Sequence, residues 1–124
     1  GMVPMIGTFH SVCARILRVN AEAAGYSSGF TIFDASDSEK LLKQCMLVEG
    51  ISSKDFAPRI FLRIIEQAKQ RNIAPDEFEE RFNGELPSPI DGYALRLYQR
   101  YQGELKRLNC CDFGDLLFQT VRLW

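Results

Sequence analysis

Apolar positions recur at helical spacing along most of this chain. From Phe9 to about Ala24, Val12, Ile16 and Val19 keep that period, with Leu17 and Ala24 beside them. Thr8 is placed to cap this helix and Gly25 to stop it. In SDSEKLLKQCMLVEG, Asp34 or Ser36 can cap a second helix, Ser36 and Glu39 stand in capping-box register, and Gly50 ends it. Pro58 suits the first turn of a third helix. Its Ile60, Phe61, Ile64, Ile65 and Ala68 form one stripe, with Arg59, Arg63, Glu66 and Gln70 opposite. Pro75 opens a short acidic helix whose Phe78 and Phe82 point inward. NGELPSP (83–89) is a loop. The longest period runs from Ile90 to Leu108 through Ala94, Tyr98, Tyr101 and Leu105, and Asn109 ends it. Asp112 can cap a last helix, FGDLLFQTVRLW, with Phe113, Leu116, Leu117, Thr120 and Val121 along one side. FTIFD (30–34) reads as a short extended connector, because no partner strand is evident. The pattern predicts an all-α fold, a compact bundle of roughly five to six helices forming one domain over residues 1–124.

Composition adds little to the fold and more to the setting. At 124 residues the chain can bury a core without metal or disulfide staples. No apolar run approaches the ~20 residues of a membrane helix, and no signal-peptide order is present. The expectation is a cytoplasmic protein with reduced thiols and no membrane partner. Cys13, Cys45, Cys110 and Cys111 form no CxxC pair, and His10 is the single histidine. The cysteines read as small buried hydrophobes rather than as a zinc site.

The net charge of −1 argues against a uniformly basic surface, but the charges are unevenly placed. Lys54, Arg59, Arg63, Lys69 and Arg71 outnumber Asp55 and Glu66. Arg96, Arg100, Lys106 and Arg107 face only Glu104. Acids concentrate at Asp76, Glu77, Glu79, Glu80 and Glu85, which meet only Arg81. One basic and one acidic side fit this distribution, and so do solvated helix faces with i,i+4 pairs.

Candidate chemistry is sparse. No glycine precedes Lys-Ser or Lys-Thr, and GxGxxG, GxSxG and HExxH are all missing from the sequence. Asp112 and Asp115 are spaced for acid/base work, yet at a helix entrance capping and the macrodipole explain both carboxylates. His10 and Cys13 share a helix face but have no third group to orient the imidazole. A helix N-terminus at Thr8, His10 and Ser11 would instead offer a hydroxyl, an imidazole and free N–H groups to a phosphate.

Four stretches in collinear order carry a family resemblance. GTFHSVCARILR, GYSSGFTIFDASDSEKLLKQC, PRIFLRIIEQAKQRNIAPDEF and YQRYQGELKRLNCCDFGDLL resemble segments of superfamily 1A DNA helicases of the UvrD/PcrA/Rep type. Together they cover nearly the whole chain. Gly114 departs from the pattern, standing where Asp or Ala is commoner, and a first-turn glycine costs up to ~1 kcal/mol of local order.

The resemblance implies a 1B-like helical subdomain, with residues 1–12 and 112–124 as flanking pieces that join motor subdomain 1A. Phe9 would pack into 1A, and Leu116, Leu117, Val121 and Trp124 would depend on 1A partners. It implies non-sequence-specific contact with DNA at the single-strand/duplex junction through Thr8, His10, Ser11, Arg15, Lys69, Asp112, Phe113 and Asp115. ATP and Mg²⁺ are expected of the intact helicase in DNA repair or replication, with no cofactor and no hydrolysis in this piece. The remaining helicase subdomains are the expected partners, and exposed termini could pair two copies. A helical module that recruits repair or replication proteins is the alternative.

Overall fold

The structure is a computed structural model that describes the backbone of residues 4–82 and 84–123 and the side chains of 9–82 and 84–123. The described elements are α1 (Pro4–Val19), β1 (Thr31–Ile32), α2 (Ala35–Glu49), α3 (Pro58–Gln70), a 3₁₀ turn (Pro75–Glu77), α4 (Phe78–Arg81), α5 (Ile90–Arg107), β2 (Cys110–Cys111) and α6 (Phe113–Arg122). Helices dominate, as the periodicity predicts.

Several boundaries follow from local chemistry. Asp34 caps α2 by accepting from the Asp37 N–H, and Asp37 returns the bond to the Asp34 N–H, so the box is Asp34/Asp37 rather than Ser36/Glu39. Gly50 closes α2 in the left-handed conformation at φ 72°. Pro58 takes the first turn of α3. Asp112 and Asp115 form the same reciprocal box at α6.

Two expectations change at α1. The helix already includes Pro4, so Thr8 lies inside it and is not its cap. Its regular turns stop at Val19, and a run of turns carries the chain to Gly25. The buried face is Cys13, Leu17 and Ala21, whereas Val12 and Val19 are exposed. The i,i+4 series beginning at Cys13 took the core, and the neighbouring series beginning at Val12 was left outside.

FTIFD is also more than a connector. Thr31 and Ile32 pair in parallel with Cys110 and Cys111. The partner strand is two residues long and has no alternating pattern, which is why periodicity did not reveal it. Asn109, at φ 55°, turns the chain from α5 into β2. Its side chain extends the pairing, accepting from the Ser27 N–H at 2.8 Å and donating to the Ser27 carbonyl.

Two buried clusters result. The larger joins α2, α3, α4 and α5 around Leu42, Phe61, Ile65, Tyr98 and Tyr101. The smaller joins α1, the 26–30 turn and α6 through Cys13, Leu17, Tyr26, Phe30, Cys111 and Leu116. Cys110 belongs to the first and Cys111 to the second, so β2 marks their boundary. All four cysteines are buried free thiols. The flanking segments pack on each other, α1 against α6, and α6 also packs on α3. Leu116 is thus buried within the chain, while Val121 is exposed and Trp124 lies outside the described residues.

Asn109→Ala should destabilise the fold by roughly 1–3 kcal/mol, through lost hydrogen bonds and left-handed strain. Urea denaturation checks this, and Asn109→Gly should recover part of the loss by relieving the strain alone.

Candidate functional site

The last turn of α3, the middle of α5 and the entrance of α6 meet in a buried polar cluster. Lys69 sits on the inward face of α3, beside Ala68 and Ile65, and its side chain is 0% exposed. Its Nζ donates to Asp112 Oδ1 at 2.8 Å and Oδ2 at 2.9 Å, and lies 3.1 Å from Asp115 Oδ1. The Tyr101 hydroxyl donates to Asp112 Oδ2 at 2.7 Å, and Gln102 Nε2 donates to Asp115 Oδ1 at 2.7 Å. The two backbone N–H groups of the capping box serve the remaining lone pairs. Every carboxylate oxygen therefore faces at least one donor. Gln102 Oε1, by contrast, finds no partner among the described residues.

The electrostatics rank the pairs. Burial alone would lower the Lys69 pKa, but the charges of Asp115 and Asp112 outweigh it and the net direction is upward. Burial raises Asp112, and the adjacent ammonium reverses this, holding its carboxyl below the usual range. Asp115 is pushed up by burial more than Lys69 can offset. The primary ion pair is therefore Lys69–Asp112, with Asp115 a second carboxylate held by hydrogen bonds.

Gly114 has a steric reason. A Cβ there would lie 3.0 Å from Lys69 Cδ, because the lysine stem crosses the first turn of α6. The close approach of helix and lysine stem accompanies the conformational cost of a helical glycine. A cleft of ≈ 180 Å³ opens beside the cluster, lined by Phe33, Asp34, Ser38, Glu66 and Phe113 among others.

The sequence-derived site residues divide into two sets. Lys69 and Asp115 are fully buried and face each other, and Asp112 joins them with little exposure, so a DNA-backbone contact by Lys69 or Asp115 does not survive. Their spacing signalled helix capping correctly, but nothing in the sequence paired them with a lysine 43 positions away. The second set lies outside. His10 stacks on Phe113, with ring centroids 5.8 Å apart, and joins the two motifs at the surface. Phe113 is 47% and Phe9 50% exposed, and Ser11 and Arg15 are exposed on α1. His10 and Ser11 lie beyond the first helical turn, so their N–H groups belong to the helix's own ladder and offer no anion cradle. The side chain of Thr8 lies outside the described residues. Cys13 is buried in the α1–α6 cluster and His10 stacks on Phe113, which does not assemble a nucleophile with its base.

The two end motifs of this helical scaffold meet in a surface aromatic stack, and a buried ion pair joins the second of them to α3. The family model for the UvrD/REP helicase N-terminal domain matches residues 2–124. The chain belongs to the UvrD/REP helicase family. It is 34% identical over 119 residues to the ATP-dependent DNA helicase PcrA of Staphylococcus epidermidis, a match covering 96% of this chain and 16% of that protein. The same identity and coverage hold for PcrA of Staphylococcus aureus. The chain thus spans 16% of the length of these relatives.

Lys69→Met should destabilise the fold by about 3–5 kcal/mol, since it strands two carboxylates without their cation. The sign of the pH dependence follows from linkage. The raised Lys69 pKa contributes stability below its unfolded value, lost as pH climbs through the folded one. The lowered Asp112 pKa contributes stability above the carboxylate range, lost as pH falls through the folded value. Without Lys69 both carboxyls titrate higher, so acidification from pH 7 to 5 should narrow the gap between variant and wild type in chemical denaturation.

Proposed function

We propose that this chain is the 1B region of a UvrD/PcrA-type ATP-dependent DNA helicase and supplies non-sequence-specific contacts to DNA near the single-strand/duplex junction. One observation carries the reading: His10 of TFHS and Phe113 of DFGDLL form an offset stack at the surface, with ring planes 26° apart. A partly exposed aromatic pair is a platform on which an unpaired base can stack, and it accepts any base because every base has a π-face. The charge nearby agrees. α1 carries Arg15 and Arg18 and no acidic residue, which suits a phosphate backbone. Arg18 is partly engaged, donating to the Phe30 carbonyl and lying over the Phe30 ring, so Arg15 is the freer contact.

The division of labour follows from burial. Lys69, Asp112 and Asp115 fix the entrance of α6, and thereby the position of Phe113, while His10, Phe113, Ser11 and Arg15 meet the strand. ATP and Mg²⁺ would serve the intact helicase, and no residue of this chain is assigned to them. The piece contributes grip to a motor whose chemistry lies elsewhere. Phe9 is reserved for packing against motor subdomain 1A. Leu47 and Val48, both exposed on α2, favour the second reading, a surface that docks a repair or replication protein.

Anisotropy of a labelled single-stranded oligonucleotide tests the proposal. Phe113→Ala and His10→Ala should each weaken binding by about 1–3 kcal/mol, the usual worth of a stacked base. Arg15→Ala should lower the salt slope by roughly one-half to one. Unchanged affinity in both aromatic variants would refute the platform.

A further inference from the structure

Between α4 and the first turns of α5 lies an apolar hollow that neither the joint nor the aromatic stack uses. Phe78, Phe82, Leu86 and Leu95 line it, around a space of ≈ 200 Å³. Phe78 and Phe82 are buried and stack with ring centroids 4.6 Å apart. Phe78 also meets Tyr98 edge to face, and the Arg71 guanidinium lies over the Phe82 ring. Leu86 and Leu95 pack on the larger apolar cluster while staying partly exposed. The floor is thus fixed by the core beneath it. A cavity of about 150 Å³ takes a benzene molecule, so this one has room for a single aromatic or branched side chain.

The rim is acidic. The run of acids seen in the sequence divides here into two groups. Glu77 is held by Arg122, and Glu85 by Arg71. Asp76, Glu79, Glu80 and Asp91 are exposed and form no ion pair among the described residues. Glu79 on α4 and Asp91 at the start of α5 line the hollow itself. Asp91 Oδ1 accepts from the neighbouring Gly92 N–H at 2.7 Å. Arg81, the cation within the run, donates to the Asn72 and Arg71 carbonyls and so is drawn toward the end of α3. The lip of the hollow therefore keeps a negative charge, which repels phosphate and attracts ammonium and guanidinium groups.

Two glycines, Gly84 and Gly92, complete the lining. Gly84 has a backbone reason, since it stands at φ 80°. Gly92 has none of that kind. It lies in the first turn of α5, where glycine costs helix stability, and a Cβ there would meet nothing within 4 Å. The chain's own packing does not require its bare backbone, and the missing side chain leaves the mouth of the hollow open.

We infer that this hollow docks a basic segment of another protein, with one aromatic or branched side chain seated on Phe78 and Phe82 and flanking lysines or arginines on Glu79 and Asp91. The docking uses none of the residues proposed to meet DNA. Anisotropy of a labelled lysine–serine peptide with one central tryptophan tests it on the folded chain. One control peptide carries serine in place of the tryptophan, and a second carries glutamate in place of every lysine. The tryptophan peptide should bind, the serine control about tenfold more weakly or worse, and the glutamate control not at all. Glu79→Gln/Asp91→Asn should weaken the tryptophan peptide about three- to tenfold at low salt and flatten its salt dependence. Gly92→Leu should keep or raise the melting temperature while reducing the tryptophan peptide to the affinity of the serine control, a pairing that a purely structural role would not produce. Neither variant should weaken binding of a single-stranded oligonucleotide. Absence of tryptophan-peptide binding, equal affinity for the serine control, or affinity unmoved by Glu79→Gln/Asp91→Asn would overturn the inference. So would a concentration-dependent dimer in sedimentation that Gly92→Leu dissolves, which would assign the hollow to a second copy of this chain.

Discussion

One ammonium group between two carboxylates organises this molecule. Lys69 comes from α3, its acceptors cap α6, and the neutral donors Tyr101 and Gln102 come from α5. Removing charges from water costs several kcal/mol each, so such a cluster persists only where geometry and hydrogen bonds offset the loss. Here the offset is nearly complete, because each carboxylate oxygen has a donor and burial keeps the Tyr101 hydroxyl protonated by pushing its pKa up. The cluster joins three helices at the boundary between the two apolar clusters. A hydrophobic contact there could slide, whereas a bidentate ion pair with two capping bonds permits one register.

That joint determines what remains available for function. Lys69, Asp112 and Asp115 are turned inward, while the His10–Phe113 stack and the arginines of α5 lie at the surface. Burial of the carboxylates gives them structural work, and it places Phe113, which stands between Asp112 and Gly114, on the outside. Motif and surface are thus two sides of one turn of helix. The same turn holds the lysine stem against Gly114 and presents a ring to His10. Membership of the UvrD/REP helicase family gives this arrangement its context, since the two motifs that meet here lie far apart along the chain.

Much of the fold was legible from periodicity. α3 and α5 bury their apolar stripes except at Ile60 and Leu108, and the caps at Asp34, Gly50 and Asp112 lie where capping chemistry predicts them. The misreadings share a cause, in that they depend on contacts between distant segments. Cys110–Cys111 has no strand-like alternation of its own and becomes β2 only because Thr31–Ile32 lies beside it. Val12 and Cys13 head equally good helical series, and only the position of α6 decides that Cys13 is inside. Lys69 reads as a solvent-facing cation by residue type, since an unpaired lysine is almost never buried. Its burial requires two acids brought from the far end of the chain. The resemblance singled out these motifs while leaving open which of their side chains face solvent and which face each other.

The central claim is that Lys69 is an internal joint and not a DNA contact. Amine-specific acetylation of the folded chain, mapped by mass spectrometry with and without a single-stranded oligonucleotide, tests this most directly. The account predicts rapid modification of the exposed Lys40, Lys43 and Lys54 and none of Lys69 in either sample, with Lys69 reacting only after denaturation. Modification of Lys69 in the free folded chain, with protection on adding DNA, would contradict it.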